Sequence, residues 1–450
     1  MSSYSPDRFQ STPLVTPAPS PSQFVVTVHQ SPARRHQYAV TGRAVASRHR
    51  AGTNLTTVLS RPGHRPRTHP GERPVHALVL PAGPALYDAV RRALTGDGPA
   101  VLPLSPDLPR PALEAALATL RPTHVVAPDG VRRQPDGVPS GAALIIATSG
   151  STGAPKGVEL TAEALLASAR ASLARLGAGE GDRWLCCLPP SHISGAQVLV
   201  RSLLCGAEPI VHPRFSPAAV AASGADHVSL VPTQLRRMLD SGAGVAAFRT
   251  ILLGGAAAPA GLLAEARAAG ARIVTTYGMS ETSGGCVYDG VPLDGVDVAI
   301  GGDGRVRIAG PVLLSGYRLR DEPHLDDGWF VTSDLGSVED GRLTVLGRAD
   351  DVINTGGRKV VAGAVAEVLS GHPAVRDVVV VGRSDPEWGE IVVAVVAGKT
   401  GAKVGLDDLR AFAKERLPAY AAPRAVELVP RIPLLPNGKP DMVALRNRNR

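Results

Sequence analysis

From Val75 onward, short apolar runs alternate with segments whose apolar positions recur at helical spacing, and Gly or Pro turns separate them. The runs Ala77–Leu80, Val101–Leu104, His124–Ala127 and Leu144–Ala147 are strand-length, with helical segments Leu86–Leu94 and Leu113–Leu120 between the first three. This alternation with short connections predicts an α/β fold, a largely parallel sheet covered by helices. Arg183–Leu188, His227–Leu230, Thr250–Leu253 and Arg272–Thr275 continue the rhythm, each followed by a polar or Gly-rich turn. Loops after strand ends are where such folds place ligands.

After about residue 296 the pattern becomes short strands and tight Gly turns (Val298–Ile300, Arg305–Ala309, Gly328–Val331, Arg342–Val345), which predicts a small barrel or meander. A second unit begins near Arg348, with helix Ala364–Leu369, strands Val378–Val381 and Ile391–Val396, and a helix Leu406–Leu417 that Pro418 ends. The expected organisation is a large N-terminal domain over 75–347, made of layered α/β sheets plus a small β-barrel-like part. A small mobile α+β domain over 348–450 follows, with the boundary at Gly347–Asp351.

Residues 1–74 are rich in Ser, Pro, Arg and Thr and poor in acids, and show neither period, so they read as a disordered tail or a gene-model extension. An organelle transit peptide or an RNA-binding tail shares that composition. The net charge of +8 comes from this end, because the first 76 residues carry ten Arg against one Asp and one Glu. The remainder is balanced at 38 basic and 38 acidic groups, which removes the charge argument for a nucleic-acid partner. Cys186, Cys187, Cys205 and Cys286 form no metal or disulfide pattern, as expected of a cytoplasmic protein. No apolar run approaches the ~18 residues of a membrane helix, so no membrane span is expected.

One loop carries chemistry. Ala147-Thr-Ser-Gly-Ser-Thr-Gly-Ala-Pro-Lys-Gly157 follows a buried strand, and its makeup suits an anion cradle. Glycines let backbone N–H groups approach phosphate oxygens, the hydroxyls of Thr148, Ser149, Ser151 and Thr152 add donors beside Gly150 and Gly153, and Lys156 supplies a mobile cation. It does not match the Walker pattern.

The string resembles the signature loop of the adenylate-forming (AMP-binding) enzymes, the superfamily of acyl-CoA synthetases, nonribosomal peptide adenylation domains and luciferases. Further motifs of that superfamily follow in order: Leu188-Pro-Pro-Ser-His-Ile-Ser-Gly195, Leu253-Gly-Gly-Ala-Ala-Ala-Pro259, Tyr277-Gly-Met-Ser-Glu-Thr282, Thr332-Ser-Asp334, Gly347-Arg-Ala-Asp-Asp-Val-Ile-Asn-Thr-Gly-Gly357 and Pro436-Asn-Gly-Lys-Pro440. The resemblance implies an acid–thiol ligase that uses ATP, Mg²⁺ and coenzyme A. It implies an adenine site from Gly254, Gly255, Ala256, Tyr277, Gly278, Met279 and Ser280, with Glu281 and Thr152 toward magnesium and Asp334 on the ribose. It also implies Arg348 among the nucleotide contacts, Asp350 as the hinge of the small domain, and Gly356 and Gly357 along the pantetheine path. Lys439 is implied as the mobile catalytic lysine and His192 as the residue beside the reacting carboxylate. The pattern departs at Val361-Ala-Gly363, which lacks a proline often seen there, and Arg358 and Lys359 are candidates to contact CoA phosphates.

Arg201 interrupts an otherwise apolar helix seven residues after Ser194. A buried guanidinium needs an anion, either a structural salt-bridge partner or a substrate carboxylate, unless the side chain snorkels its head to water. The Ser194 to Arg201 spacing, the compact N-terminal region and Ser280-Glu-Thr-Ser-Gly-Gly-Cys-Val-Tyr-Asp-Gly290 resemble the o-succinylbenzoate–CoA ligases of actinobacterial menaquinone biosynthesis, which implies that Arg201 binds the carboxylate that is not activated. The implied partner is a small dicarboxylic aromatic acid. Another aryl- or acyl-CoA ligase, or a stand-alone adenylation protein that loads a carrier, stays open, as does homo-oligomerisation.

Overall fold

The structure is a computed structural model that describes residues 71–149, 155–321, 324–434 and 440–448. The expectations for residues 1–70, for Gly150, Ser151, Thr152 and Gly153, and for Lys439 lie outside the described residues.

The predicted strands form because their residues are apolar on both faces. β1 (Val75–Val79), β2 (Ala100–Leu104), β3 (His124–Ala127) and β5 (Leu144–Ser149) are linked by parallel pairings. β4 (Gly130–Arg133) and β6 (Pro155–Leu160) add antiparallel pairings beside β3 and β5. The second sheet has β7 (Trp184–Cys186), β8 (Ile210–Val211), β9 (His227–Leu230), β10 (Thr250–Leu253) and β11 (Ile273–Met279) in parallel, then β12 (Gly284–Tyr288) and β13 (Val291–Pro292) antiparallel, in the order β13-β12-β11-β10-β9-β7-β8.

Helices Pro84–Thr95, Ala162–Leu176 and Ile193–Leu204 supply one apolar core, in which Leu86, Leu165 and Val198 meet Leu144 of the first sheet and Trp184 of the second. Thr161 starts the middle helix by accepting a hydrogen bond from the Ala164 backbone N–H, and Gly177 ends it with a left-handed φ of 62°.

The region expected to be a barrel or meander is an antiparallel sheet in the order β14 (Asp297–Ile300), β15 (Arg305–Ala309), β17 (Phe330–Glu339), β18 (Arg342–Arg348). Between them β16 (Gly316–Tyr317) returns to the edge of the first sheet beside β6. The strand expected at Gly328–Val331 begins only at Phe330, because Gly328 turns the chain with φ 82°, and it then runs on through Asp334.

The last sheet comprises β19 (Val352–Thr355), β20 (Arg358–Val361), β21 (Val375–Asp385), β22 (Gly389–Gly398) and β23 (Ala425–Leu428). Helices Ala362–Ser370 and Leu406–Lys414 cover it through Val365, Leu369 and Leu409. The Val378–Val381 and Ile391–Val396 runs are the centres of longer strands, since ladder hydrogen bonds continue past the apolar positions. The helix expected to reach Leu417 stops at Lys414, and one further turn follows in which the Leu417 N–H donates to the Ala413 carbonyl at 2.8 Å before Pro418.

Candidate functional site

β5 and β6 pair antiparallel, with Thr148 opposite Lys156 and Ser149 opposite Pro155 as the last pairs of the ladder. Thr148 Oγ1 donates to the Lys156 carbonyl at 3.4 Å, and Lys156 Nζ lies 5.3 Å from the ring centroid of Tyr317. Tyr317 reaches that position because β16 pairs with β6 at Val158.

The same tyrosine joins the loop to the acid motif. Its hydroxyl donates to Glu281 Oε1 at 3.0 Å. Glu281 stands on the turn Ser280–Thr282 after β11, where Thr282 Oγ1 donates to the Gly284 carbonyl at 2.7 Å and accepts from the Met279 N–H at 2.9 Å. Burial, and then Glu281, push the Tyr317 phenol above its ordinary pKa, so it remains a donor.

On β11, the Tyr277 hydroxyl donates to Asp334 Oδ2 at 2.8 Å, bringing the motif at 277–282 against the one at 332–334. Burial first and Asp334 second raise the Tyr277 phenol as well. A cavity of about 240 Å³ beside it is lined by Leu253, Ala256, Ala257, Ala258, Tyr277 and Leu343. Gly254, which with Gly255 leads into that loop, donates its N–H to the Leu230 carbonyl at 3.1 Å and so anchors the loop to the end of β9. A cavity of this size beside an aromatic ring can take a purine, with Thr275 and Thr276 also in its wall, and Asp334 offers acceptor oxygens at the Tyr277 hydroxyl.

Gly278 lies where the β11–β12 pairing shifts register, and a Cβ there would stand 2.1 Å from the Gly284 oxygen. Gly278→Ala is therefore expected to destabilise the protein by about 1–3 kcal/mol and to weaken ATP binding, measured by thermal melts with and without ATP. Unchanged midpoints in both would refute the strain.

His192 is exposed at the N-cap of the helix Ile193–Leu204, with Ser194 half-buried in the first turn. Gln197 Nε2 donates to the Ser283 carbonyl at 2.7 Å and fastens that helix to the turn that carries Glu281. Deeper in the same helix Arg201 is only 5% exposed. Its Nη2 donates to Ser229 Oγ at 3.0 Å, its guanidinium carbon is 4.4 Å from the Trp184 ring centroid, and its buried Nε has no partner. No carboxylate pairs with it among the described residues; the titratable groups near it are Tyr288, Cys186 and Cys205, all held neutral by burial. Burial presses its pKa down.

Arg348 Nη2 and Asp350 Oδ2 pair at 3.2 Å on an exposed stretch that ends the antiparallel sheet. The neighbouring Asp351 pairs with Arg446 near the end of the chain. Gly356 and Gly357 form the β19–β20 turn with φ values of 54° and 72°, and a Cβ on Gly356 would strike the Trp388 ring at 2.6 Å. Arg358 and Lys359 are exposed beside it, Arg358 lying 5.7 Å from the Tyr420 ring.

Thus Tyr317 links Lys156 to Glu281, and a separate hydrogen bond links Tyr277 to Asp334. Tyr317, Trp184 and Ser229 are additions that sequence reasoning missed. Their motifs are unremarkable, and only strand pairing brings them in. Among the described residues no cluster of three or more His, Cys, Asp or Glu could hold a metal. Magnesium that arrives on a triphosphate needs only one or two carboxylates and keeps several waters, and Glu281, with one oxygen engaged by a neutral tyrosine, fits that demand.

Residues 111–318 match the AMP-binding enzyme family and residues 364–439 match the AMP-binding enzyme C-terminal domain. A Mycobacterium tuberculosis protein named probable 2-succinylbenzoate–CoA ligase is 42% identical over 395 residues, covering 83% of this chain and 98% of that protein. The o-succinylbenzoate CoA synthetase (MenE) of Bacillus subtilis in complex with the acyl-adenylate intermediate OSB-AMP superposes with a TM-score of 0.70 at 27% identity, over 85% of this chain and 88% of that one. The same enzyme in complex with ATP and magnesium ion gives 0.69 at 28% identity, over 85% and 90%. Both family domains in order, with a relative that similar over nearly its whole length, place the chain in the AMP-binding enzyme family, as an AMP-forming acid–CoA ligase.

Proposed function

We propose that this chain is an ATP-dependent 2-succinylbenzoate–CoA ligase of menaquinone biosynthesis. The observation that carries the substrate is Arg201, a buried guanidinium with no acid in reach among the described residues. Such a charge is expensive to bury unpaired, so it is kept for an anion that comes and goes. A fatty acid would find a cation in its tunnel, whereas an aromatic acid with a second carboxylate supplies the counterion. Ser194, about two turns before Arg201 on the same helix, contacts the acid, and His192 stands beside the carboxylate that reacts.

In the first half-reaction a carboxylate oxygen attacks the α-phosphorus of ATP, and the bond to pyrophosphate breaks. Thr148, Ser149, Gly150, Ser151, Thr152, Gly153 and Lys156 cradle the phosphates. Tyr277 and the Gly254–Ala256 loop hold adenine with Gly278, Met279 and Ser280, and Asp334 accepts from the ribose hydroxyls. Glu281, with Thr152, would hold magnesium, which supplies charge neutralisation on the phosphates. Lys439 bridges the carboxylate and the α-phosphate.

In the second half-reaction the CoA sulfur attacks the acyl carbonyl, and AMP leaves with the bonding electron pair. We assign the large domain to 75–347 and the small one to 348–450, which turns about Asp350 to bring Gly356 and Gly357 to the thiol path. Arg348 contacts the nucleotide, and Arg358 and Lys359 face the CoA phosphates. ATP and CoA are cytoplasmic metabolites, so the reaction is assigned to the cytoplasm.

The test is pyrophosphate release over a panel of carboxylic acids, with and without CoA. Release with 2-succinylbenzoate and thioester formation when CoA is added support the reading. Turnover of monocarboxylates with none of the dicarboxylic acid would overturn it in favour of another aryl- or acyl-CoA ligase.

A further inference from the structure

We propose that Trp184 is a positioning residue for Arg201, holding the guanidinium in place for the substrate's second carboxylate while leaving its charge unspent. The inference rests on the reading of Arg201 given above. An arginine has many rotamers and a planar fork that must be aimed to bind a carboxylate. Proteins commonly aim it with an acid, but a permanent carboxylate would occupy the fork and compete with the substrate. An aromatic face avoids that conflict, because it attracts the cation through its quadrupole and accepts none of its N–H donors.

The geometry has those properties. The Arg201 guanidinium carbon is 4.4 Å from the Trp184 ring centroid, one nitrogen donates to the neutral Ser229 hydroxyl, and the buried Nε is left open. Trp184 is itself immobilised. It is 0% exposed and sits on β7, which pairs with β9 at Trp184 and His227. The His227 imidazole stacks on the indole at 4.8 Å between centroids with 27° between planes. His227 Nε2 is in turn 3.3 Å from Asp182 Oδ2, and Asp182 is bound by Arg249. Burial holds His227 below its usual pKa despite Asp182, so it adds no second cation beside Arg201 at neutral pH. The sheet thus fixes the indole, and the indole fixes the guanidinium.

The test compares Trp184→Leu, Trp184→Phe and Arg201→Ala with the parent enzyme by steady-state kinetics in 2-succinylbenzoate and in ATP. Trp184→Leu is expected to raise KM for the acid about 10- to 30-fold, the factor that a desolvated cation–π contact of about 2 kcal/mol carries at 1.4 kcal/mol per decade. KM for ATP and kcat should stay within about twofold, a split that general loosening of the core would not produce. Trp184→Phe keeps a ring and should recover most of the affinity. If the leucine variant does not fold, the phenylalanine variant decides, with a small rise confined to the acid KM expected. Equal rises for acid and ATP, or an unchanged acid KM in a protein whose Arg201→Ala variant loses acid binding, would overturn the positioning role. An Arg201→Ala enzyme with normal acid KM would overturn the substrate reading and this inference with it.

Discussion

Replacing Arg201 by methionine is expected to remove use of the dicarboxylic acid and to make the free protein more stable. Loss of one partner from a buried charge–charge contact costs about 2–5 kcal/mol, a factor of roughly 30 or more in kcat/KM for the acid. KM for ATP should hardly move, since neither the Tyr317–Glu281 contact nor the Tyr277–Asp334 contact involves Arg201, whose hydrogen bond goes to Ser229. Stability moves the other way because the resting protein keeps an almost fully buried guanidinium with an open Nε. Exchanging such a charge for an apolar group of similar length removes a desolvation penalty, and methionine sulfur packs well against an aromatic ring such as Trp184. Kinetics in both substrates and a thermal melt check the pair of effects. Lower stability with unchanged acid KM would mean that Arg201 is structural.

The second large effect belongs to Lys439. Lys439→Ala is expected to lower acyl-adenylate formation by about 10²–10³, equivalent to roughly 2.7–4 kcal/mol, as for removal of one preorganised donor from a developing anion. The thioester step should largely survive when acyl-adenylate is supplied with CoA, because no α-phosphate transfer remains in that half-reaction. Single-turnover measurement of pyrophosphate release, set beside thioester formation from isolated acyl-adenylate, separates the two. Equal loss in both assays would remove the assigned role.

The alternation of apolar strands with helices was legible because burial on both faces leaves its mark within a few residues of sequence. His227–Leu230 and Thr250–Leu253 begin and end where that pattern puts them. Strand ends were less legible where ladder hydrogen bonding outlasts the apolar run, as in Val375–Asp385. The loop's motif was legible for a similar local reason, since glycines, hydroxyls and a lysine sit together after one strand, while residues 150–153 lie outside the described residues. Tyr317 was not, because its importance comes from an edge pairing with β6 far back in the chain and from a carboxylate on another turn.

Arg201 divides the two kinds of information. Its place on an apolar helix already required an anion, by the cost of burying charge. Whether that anion was a protein carboxylate or a ligand depended on what the neighbouring strands put beside it. The fold puts there an indole, a serine hydroxyl and buried thiols, Cys186 among them, whose pKa burial pushes up to about 12, leaving it uncharged. Amino-acid order by itself determined the α/β class, the succession of motifs and the chemistry each can offer, since these follow from local composition and spacing. Tertiary structure alone decided which side chains meet: Tyr277 with Asp334, Tyr317 with Glu281, and Trp184 with Arg201. Those meetings depend on strand register and helix docking, which are set by the packing of the whole core and leave no trace in any one stretch of chain.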